Sequence, residues 1–148
     1  MIHSPRVSCL ARNQASLETV ALRLAPGADV RRELLEIAKQ EKISAGTVLS
    51  AVGSLSHVYL RFADAKTPTK LPGKHEVLTL SGTIGVDGVH LHMMVANQQG
   101  ECKGGHLVEG CLVYTTLELV IALMPEVRFR RQVDPDTGFR ELDISTNL

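Results

Sequence analysis

The sequence predicts an α/β (α+β) protein with a largely antiparallel sheet of about seven strands packed against one main helix. Three observations predict this fold class. Segments in which apolar and polar side chains alternate recur along the chain, and short turns join most of them. One segment instead carries apolar residues at helical spacing. Aromatic residues make up only 3% of the 148 residues and Trp is absent, so the core must be aliphatic. We expect one domain spanning residues 1–148, with short flexible termini.

The first strand and the helix have the clearest patterns. Apolar side chains alternate over Glu18–Leu24, which predicts a half-buried strand, and Pro26-Gly27 ends it. Asp29 is suited to cap a helix, and the apolar residues after it recur on one helical face. We therefore predict a helix over 29–42.

The middle of the chain predicts strands interrupted by a bend and a loop. The Val48-Leu49 segment and the alternation over Val58–Phe62 indicate two strands, with a kink marked by Gly53-Ser54-Leu55. The segment Asp64–Lys74 contains two prolines, one glycine and three lysines, which predicts a surface loop and the most flexible region.

The second half of the chain predicts three more strands and a closing hairpin. The strands cover Glu76–Thr83, Val89–Ala96 and Leu112–Leu123, and the second half of the last one could also be helical. The turn Asp134–Gly138 joins two further strand segments, Phe129–Val133 and Phe139–Ile144.

Composition narrows the classes of protein. The longest apolar run, Leu119–Met124, is much shorter than the roughly 20 residues of a membrane-spanning helix, and the start of the sequence lacks a secretory pattern. We therefore expect a cytoplasmic protein without a membrane partner. Three cysteines form no disulfide framework. Sixteen basic residues balance sixteen acidic ones, which gives no support for a protein that coats nucleic acid.

The histidines His90, His92 and His106 are the candidate metal ligands. Alternation along Val89–Val95 sends His90 and His92 to the same face of a strand, roughly 6.5 to 7 Å apart. The turn after that strand, followed by Gly104-Gly105, can bring His106 back beside them. Three imidazoles suit zinc, and also copper, nickel or iron, and would leave one coordination position open. Accidental spacing of surface histidines is the alternative. Cys102 and Cys111 are reserve ligands.

Segments across nearly the whole chain resemble the plants and prokaryotes conserved (PPC) domain family. The similarity is carried by stretches that include Gly88-Val89-His90-Leu91-His92 and Gly104-Gly105-His106-Leu107, together with 21–27, 51–55, 115–118 and 134–142. The resemblance implies a mixed, mainly antiparallel α/β fold, a homotrimer and, as in prokaryotic members, a metal held by the three histidines. Prokaryotic relatives carry the label of DNA-binding proteins because the plant domain follows AT-hook segments.

Two features of this chain differ from that family picture. It has no Arg-Gly-Arg-Pro core of an AT-hook, which is the element that reads the minor groove. It also has Gly73-Lys74-His75-Glu76-Val77-Leu78 where plant members carry Gly-Arg-Phe-Glu-Ile-Leu.

Three functions remain open from the sequence. A trimeric scaffold or regulatory module would bind proteins or DNA, with Arg128, Arg130 and Arg131 as its only dense basic cluster. A metal-dependent, hydrolase-like enzyme would use the open coordination position, with Glu118 or Glu101 as base. A small-ligand sensor would place an anion or metabolite at that position, near Gly53-Ser54-Leu55. The sequence identifies no catalytic residue and leaves enzyme status undecided.

Overall fold

The computed structural model of the protein describes residues 9–146, so the ends of the predicted flexible termini lie outside the described residues. Within this range there is one helix, α1 (Val30–Gln40), and there are nine strands. In chain order the strands are β1 (Glu18–Leu24), β2 (Ala45–Arg61), β3 (Thr69–Leu71), β4 (His75–Gly85), β5 (Gly88–Ala96), β6 (Cys102–Leu107), β7 (Leu112–Leu123), β8 (Val127–Val133) and β9 (Arg140–Thr146).

Seven of the strands form one sheet, in the order β1-β7-β2-β4-β5-β6, with β3 paired to β2. The end of β2 also pairs with β6, so the sheet curls until its last strand meets the long central one. Strands β8 and β9 form a separate hairpin. The predicted α+β class and the strand-rich sheet are confirmed. Every strand pairing within residues 9–146 is antiparallel, so the mixed sheet is not found there.

The helix begins where the sequence predicts it. The Asp29 carboxylate accepts a hydrogen bond from the Arg32 backbone N–H at 3.1 Å, which caps the first turn. Its second oxygen accepts from the Gly110 N–H at 2.7 Å and thereby ties the helix start to the segment before β7. Val30, Leu34 and Ala38 lie on one face of α1 and are buried against the sheet.

Three predictions about elements were wrong in part. The two strands expected around Gly53 are one strand, β2, because the irregularity there shifts the register against β7 without ending the pairing. The predicted loop over 64–74 contains β3, which pairs with β2. The alternative of a helix in the second half of β7 is excluded, since the whole segment pairs with β1 and β2.

The sheet has one buried and one exposed face. Its inner face packs with α1 into a continuous aliphatic core that includes Leu55, Leu60 and Ile121. The outer face carries exposed apolar side chains, which are Leu49, Val52, Leu78 and Met94. Within the described range no helix is long and apolar enough to cross a membrane.

Candidate metal centre

Strand β5 places two histidines on the outer face. Leu91, Met93 and Val95 are buried, whereas His90, His92 and Met94, which alternate with them along the strand, are exposed. This is the alternation predicted from the sequence, because successive side chains of a strand leave opposite sides of the sheet. The same face of neighbouring β4 is covered by small polar side chains: Thr83 pairs with His90, and Ser81 pairs with His92. The two imidazole rings therefore extend further from the sheet than the side chains next to them on β4.

Strand β6 supplies the third histidine. It returns antiparallel to β5 and sets His106 directly opposite His92. Such close packing of β6 against the end of β2 needs a glycine beside His106, because a Cβ on Gly105 would lie only 2.8 Å from the Arg61 carbonyl oxygen. The return past glycine was predicted, although β6 was not identified as a strand.

The three rings meet at one point. The ring nitrogens that His90, His92 and His106 can offer as ligands all lie within 4.8 Å of one another. His92 Nε2 and His106 Nδ1 are 3.0 Å apart. Two nitrogens bound tetrahedrally to zinc at 2.0–2.1 Å would be about 3.3 Å apart. The donor set and its spacing therefore fit a late divalent transition metal after small side-chain shifts.

The surroundings of the cluster favour neutral imidazoles, which are the form that ligates metal. Burial lowers the pKa of His90 below its ordinary value of 6.5, and the positive charge of Arg131 lowers it further. Burial also lowers the pKa of His106, with the Arg61 guanidinium as the next cause. Both rings therefore resist protonation near neutral pH.

The reserve cysteine ligands do not join the cluster. Cys111 is buried, and desolvation raises the pKa of its thiol to about 11. Its Sγ donates to the Tyr59 carbonyl oxygen at 3.2 Å. Cys102 is exposed and pairs with Ala96, at the opposite end of β5 from His90. Among the residues that the structure describes, no cysteine or carboxylate belongs to the histidine group.

The candidate bases also lie elsewhere. Glu101 precedes Cys102, which pairs four residues along β5 from His92, about 13 Å away at the rise of a strand. Its carboxylate accepts from the Asn97 side chain at 2.7 Å and belongs to the turn. Glu118 lies on β7, which β2 and β4 separate from β5, or about 14 Å across the sheet. Neither carboxylate is positioned to take a proton at the cluster.

Two other predicted features have structural roles. Ser54 is buried, and its hydroxyl lies 2.8 Å from the Thr115 hydroxyl, so the Gly53-Ser54-Leu55 segment belongs to the sheet and does not line a pocket at the histidines. The basic cluster on β8 is divided by strand alternation. Arg130 is exposed, whereas Arg128 and Arg131 are half-buried in different places. The three arginines therefore do not form one basic surface.

The structure adds two residues that sequence analysis did not connect with the histidines. Arg61 pairs directly with His106. Arg131 reaches the Thr83 hydroxyl, beside His90. The pairing of β2 with β6 and the folding of β8 over β4 join residues that are 45 or more positions apart, so local patterns gave no signal for them.

Comparison with known proteins identifies relatives over most of the chain. A sequence profile described as the Plants and Prokaryotes Conserved (PCC) domain matches residues 11–125. Two Synechococcus proteins, each described as bifunctional protein GlmU, are 53% identical over 129 residues, or 87% of this chain. The chain spans about a fifth of the length of these curated relatives.

Solved structures share the fold. A hypothetical protein from Salmonella cholerae-suis (Salmonella enterica) is 40% identical, with a TM-score of 0.89 over 93% of this chain and 100% of the other. A metal-containing protein from Archaeoglobus fulgidus is 23% identical, with a TM-score of 0.78 over 90% and 99% of the two chains. A candidate DNA-binding protein from Bacteroides thetaiotaomicron is 20% identical, with a TM-score of 0.74 over 86% and 96%. The last two similarities show the fold alone.

Proposed function

This chain belongs to the Plants and Prokaryotes Conserved domain family, abbreviated PCC or PPC, and from that premise we propose that it is a metal-binding scaffold or regulatory module. His90, His92 and His106 hold one divalent transition metal, with zinc as the first choice. The module assembles with two further copies of itself into a homotrimer. Binding of DNA or of other proteins is a secondary part of the proposal.

The convergence of the three histidines carries the proposal. Their candidate ligand atoms lie within 4.8 Å of one another, although the rings come from two strands and two of them are exposed. The rings contact one another edge-to-face and stacked, with centroids 4.4–5.4 Å apart, and three rings this close are unfavourable when protonated because like charges repel. A zinc ion bound there would supply a fixed positive charge and a Lewis acid. The lowered pKa values of His90 and His106 keep the lone pairs available for it.

A module fits the surroundings of the cluster better than an enzyme does. The candidate bases Glu101 and Glu118 lie about 13 and 14 Å away by strand geometry. No carboxylate among residues 9–146 joins the three histidines. The match to only a fifth of each longer Synechococcus protein also supports a unit that can be joined to other activities. A hydrolase-like enzyme remains the alternative and would need a proton acceptor from a substrate or partner.

The outer face of the sheet supports self-association. Leu49, Val52, Leu78 and Met94 are exposed by 38–56% on three neighbouring strands, β2, β4 and β5. Several exposed apolar side chains on neighbouring strands are typical of an interaction site, because their exposure to water is unfavourable. The trimeric stoichiometry comes from the family resemblance.

DNA is the weaker candidate among the partners. The net charge is zero, and Arg131 lies on the opposite face of β8 from Arg128 and Arg130. Non-specific affinity for DNA depends on several cations that meet the phosphates together. We therefore assign the module first to self-association and to metal.

Metal analysis of the purified protein and of a His92→Ala variant tests the proposal. The unaltered protein should retain about one metal ion per chain after gel filtration, and His92→Ala should lose most of it. His57→Ala is the matched control, because His57 is also exposed but lies outside the cluster. Native mass spectrometry of the same samples reports metal and subunit number together. Equal metal content in His92→Ala and the unaltered protein would show that His92 is not a ligand.

A further inference from the structure

A cleft of about 880 Å³ opens beside His90 and His106. One wall is the segment after β2, with Asp64 and Lys66, and the other is the β8–β9 hairpin. Its volume lies within the range of about 300–1,000 Å³ that is typical of small-molecule sites. The cleft therefore gives a ligand of that size direct access to the histidine cluster.

Arg61 stands at the floor of the cleft, beside the cluster. It is the last residue of β2 and pairs with His106, so the two side chains leave the same side of the sheet. Its Nη1 donates to the Ala65 carbonyl oxygen at a long 3.4 Å, which leaves its other N–H groups available to a ligand.

Arg131 lies in the same cleft, where hydrogen bonds position both its side chain and its backbone. Its Nη2 donates to the Thr83 hydroxyl at 2.6 Å, and Thr83 is the β4 partner of His90. Its backbone N–H donates to Asp87 Oδ2 at 2.9 Å, and its carbonyl oxygen accepts from Arg140 Nη2 at 3.0 Å. Partial burial lowers the pKa of Arg131, and the negative charge of Glu141 partly offsets this effect.

Carboxylates also line the cleft, but none of them forms an ion pair with either arginine. Asp87 accepts the Arg131 backbone N–H, and Glu141 accepts from the Thr137 hydroxyl at 3.1 Å. The single ion pair found within residues 9–146 joins Arg31 to Glu109, and neither of these residues lines the cleft. No described carboxylate thus lies within 4.0 Å of the Arg61 or Arg131 guanidinium. A planar guanidinium with free donors is suited to bind carboxylate or phosphate groups.

We propose that this cleft binds a small multivalent anion with carboxylate or phosphate groups, and that Arg61 and Arg131 hold its charge beside the three histidines. The proposal rests on the proposed function in one respect, since the metal would add a further positive charge beside the two arginines. The anion would occupy the space between the two guanidinium groups and the histidine cluster. Its exposed portion would lie against Phe139, which is 71% exposed at the rim. The module would then respond to a metabolite of this class.

Isothermal titration calorimetry with inorganic phosphate and with succinate tests this site. The zinc-loaded full chain is first freed of unbound metal by gel filtration and then titrated at low ionic strength. We expect one anion per chain, and an affinity at least about tenfold weaker in Arg131→Gln and in Arg61→Gln, because each change removes charge-assisted hydrogen bonds. Arg130→Gln is the matched control: it lies on the same strand but outside this cleft, and should change the affinity less than twofold. Circular dichroism confirms that each variant is folded.

The two probes and a metal measurement separate the outcomes. Binding of phosphate but not succinate would assign a phosphate ligand, and the reverse would assign a carboxylate. The proposal would be overturned if neither anion binds. It would also be overturned if Arg61→Gln, Arg131→Gln and the unaltered protein bind the anion with equal affinity. Metal analysis of the same samples keeps the two proposals apart. Metal without arginine-dependent anion binding refutes only the cleft, whereas arginine-dependent binding without metal refutes only the metal site.

Discussion

A histidine binds metal only while one ring nitrogen keeps its lone pair, so protons compete with metal at the proposed site. Burial, Arg61 and Arg131 lower the pKa of His106 and His90. We expect zinc affinity to be nearly constant above about pH 7 and to fall as the pH drops below about 6.5, the ordinary pKa of the ring. Competition with a chromophoric chelator between about pH 5 and pH 8 measures this dependence.

The same shifts affect the stability of the metal-free protein. Because the pKa of each ring is lower in the folded chain, the unfolded chain binds more protons just below pH 6.5. The contribution to stability is therefore complete above about 6.5 and is lost as the pH falls through the folded-state pKa values. His57→Ala should leave the pH dependence of zinc affinity unchanged, because His57 lies outside the cluster. A decline in zinc affinity that is already complete at neutral pH would contradict the lowered pKa values.

Individual residues differ in how far the sequence could predict their role. Strand alternation alone was enough to place His90 and His92 on one face. His106 could be placed near them because only a turn and two glycines intervene. Arg61 could not be connected with His106, since their pairing depends on the curl of the whole sheet. Arg131 was noticed only for its charge, and its direction depends on the contact with Thr83.

At the scale of elements, the β5–β6 hairpin determines the spacing of the histidines. In Gly105→Ala the new Cβ would lie 2.8 Å from the Arg61 carbonyl oxygen, so β6 must move away from β2. His106 would move with it. We expect zinc affinity to fall at least about tenfold and the free energy of unfolding to fall by about 1–3 kcal/mol, as for other overpacked sites. Chelator competition and urea unfolding measure the two effects.

Gly104→Ala is the control for this substitution. Its Cβ would lie 3.3 Å from the Met93 carbonyl oxygen, which is a tighter contact than usual but not an overlap with the neighbouring strand. The loss of affinity and of stability should therefore be smaller than in Gly105→Ala. Equal zinc affinity in Gly105→Ala and the unaltered protein would show that the spacing tolerates a shift of β6.

The limits of element prediction have physical causes. Strand β1, with regular alternation, and β7, with a first half rich in β-branched and aromatic residues, were predicted with their observed bounds. Strand β6 was missed because Lys103-Gly104-Gly105 has little intrinsic preference for extended structure, and its pairing with β5 determines the conformation. The break expected in β2 became a register shift, since the same chain continues to pair with β4 and β7 on either side. The local sequence therefore predicts an irregularity near Gly53, but it does not predict whether the strand continues to pair on both sides of it.

At the scale of the whole molecule, the fold class followed from periodicity because most strands are joined to neighbours by short turns. The expectation of a mixed sheet came from resemblance, and the described pairings are all antiparallel. The curl that closes β6 onto β2 could not be predicted, because it arises from bulges and twist along a strand of 17 residues. That curl creates the cleft beside the histidines and leaves the apolar outer face exposed.

The apolar outer face makes the proposed trimer testable. Val52 is 56% exposed on β2, and Leu78 is 45% exposed on adjacent β4. A charge buried at a subunit interface is unfavourable unless it is paired, so Val52→Glu and Leu78→Glu should each dissociate the trimer. Native mass spectrometry and light scattering should then show monomers at micromolar concentration. The monomers should retain their strand content by circular dichroism, because neither side chain belongs to the aliphatic core.

Val133→Glu distinguishes this face from exposed apolar surface in general. Val133 is 68% exposed at the end of β8, on the separate hairpin, so its replacement should leave the trimer intact.

If Val52→Glu and Leu78→Glu remain trimeric, the outer face is not the interface, and self-association must use another surface. If they dissociate and also lose zinc, the interface supports the histidine cluster, since Met94 and His92 share the same face of β5. Retention of zinc by the monomer would instead show that β5 and β6 of one chain are sufficient to bind the metal.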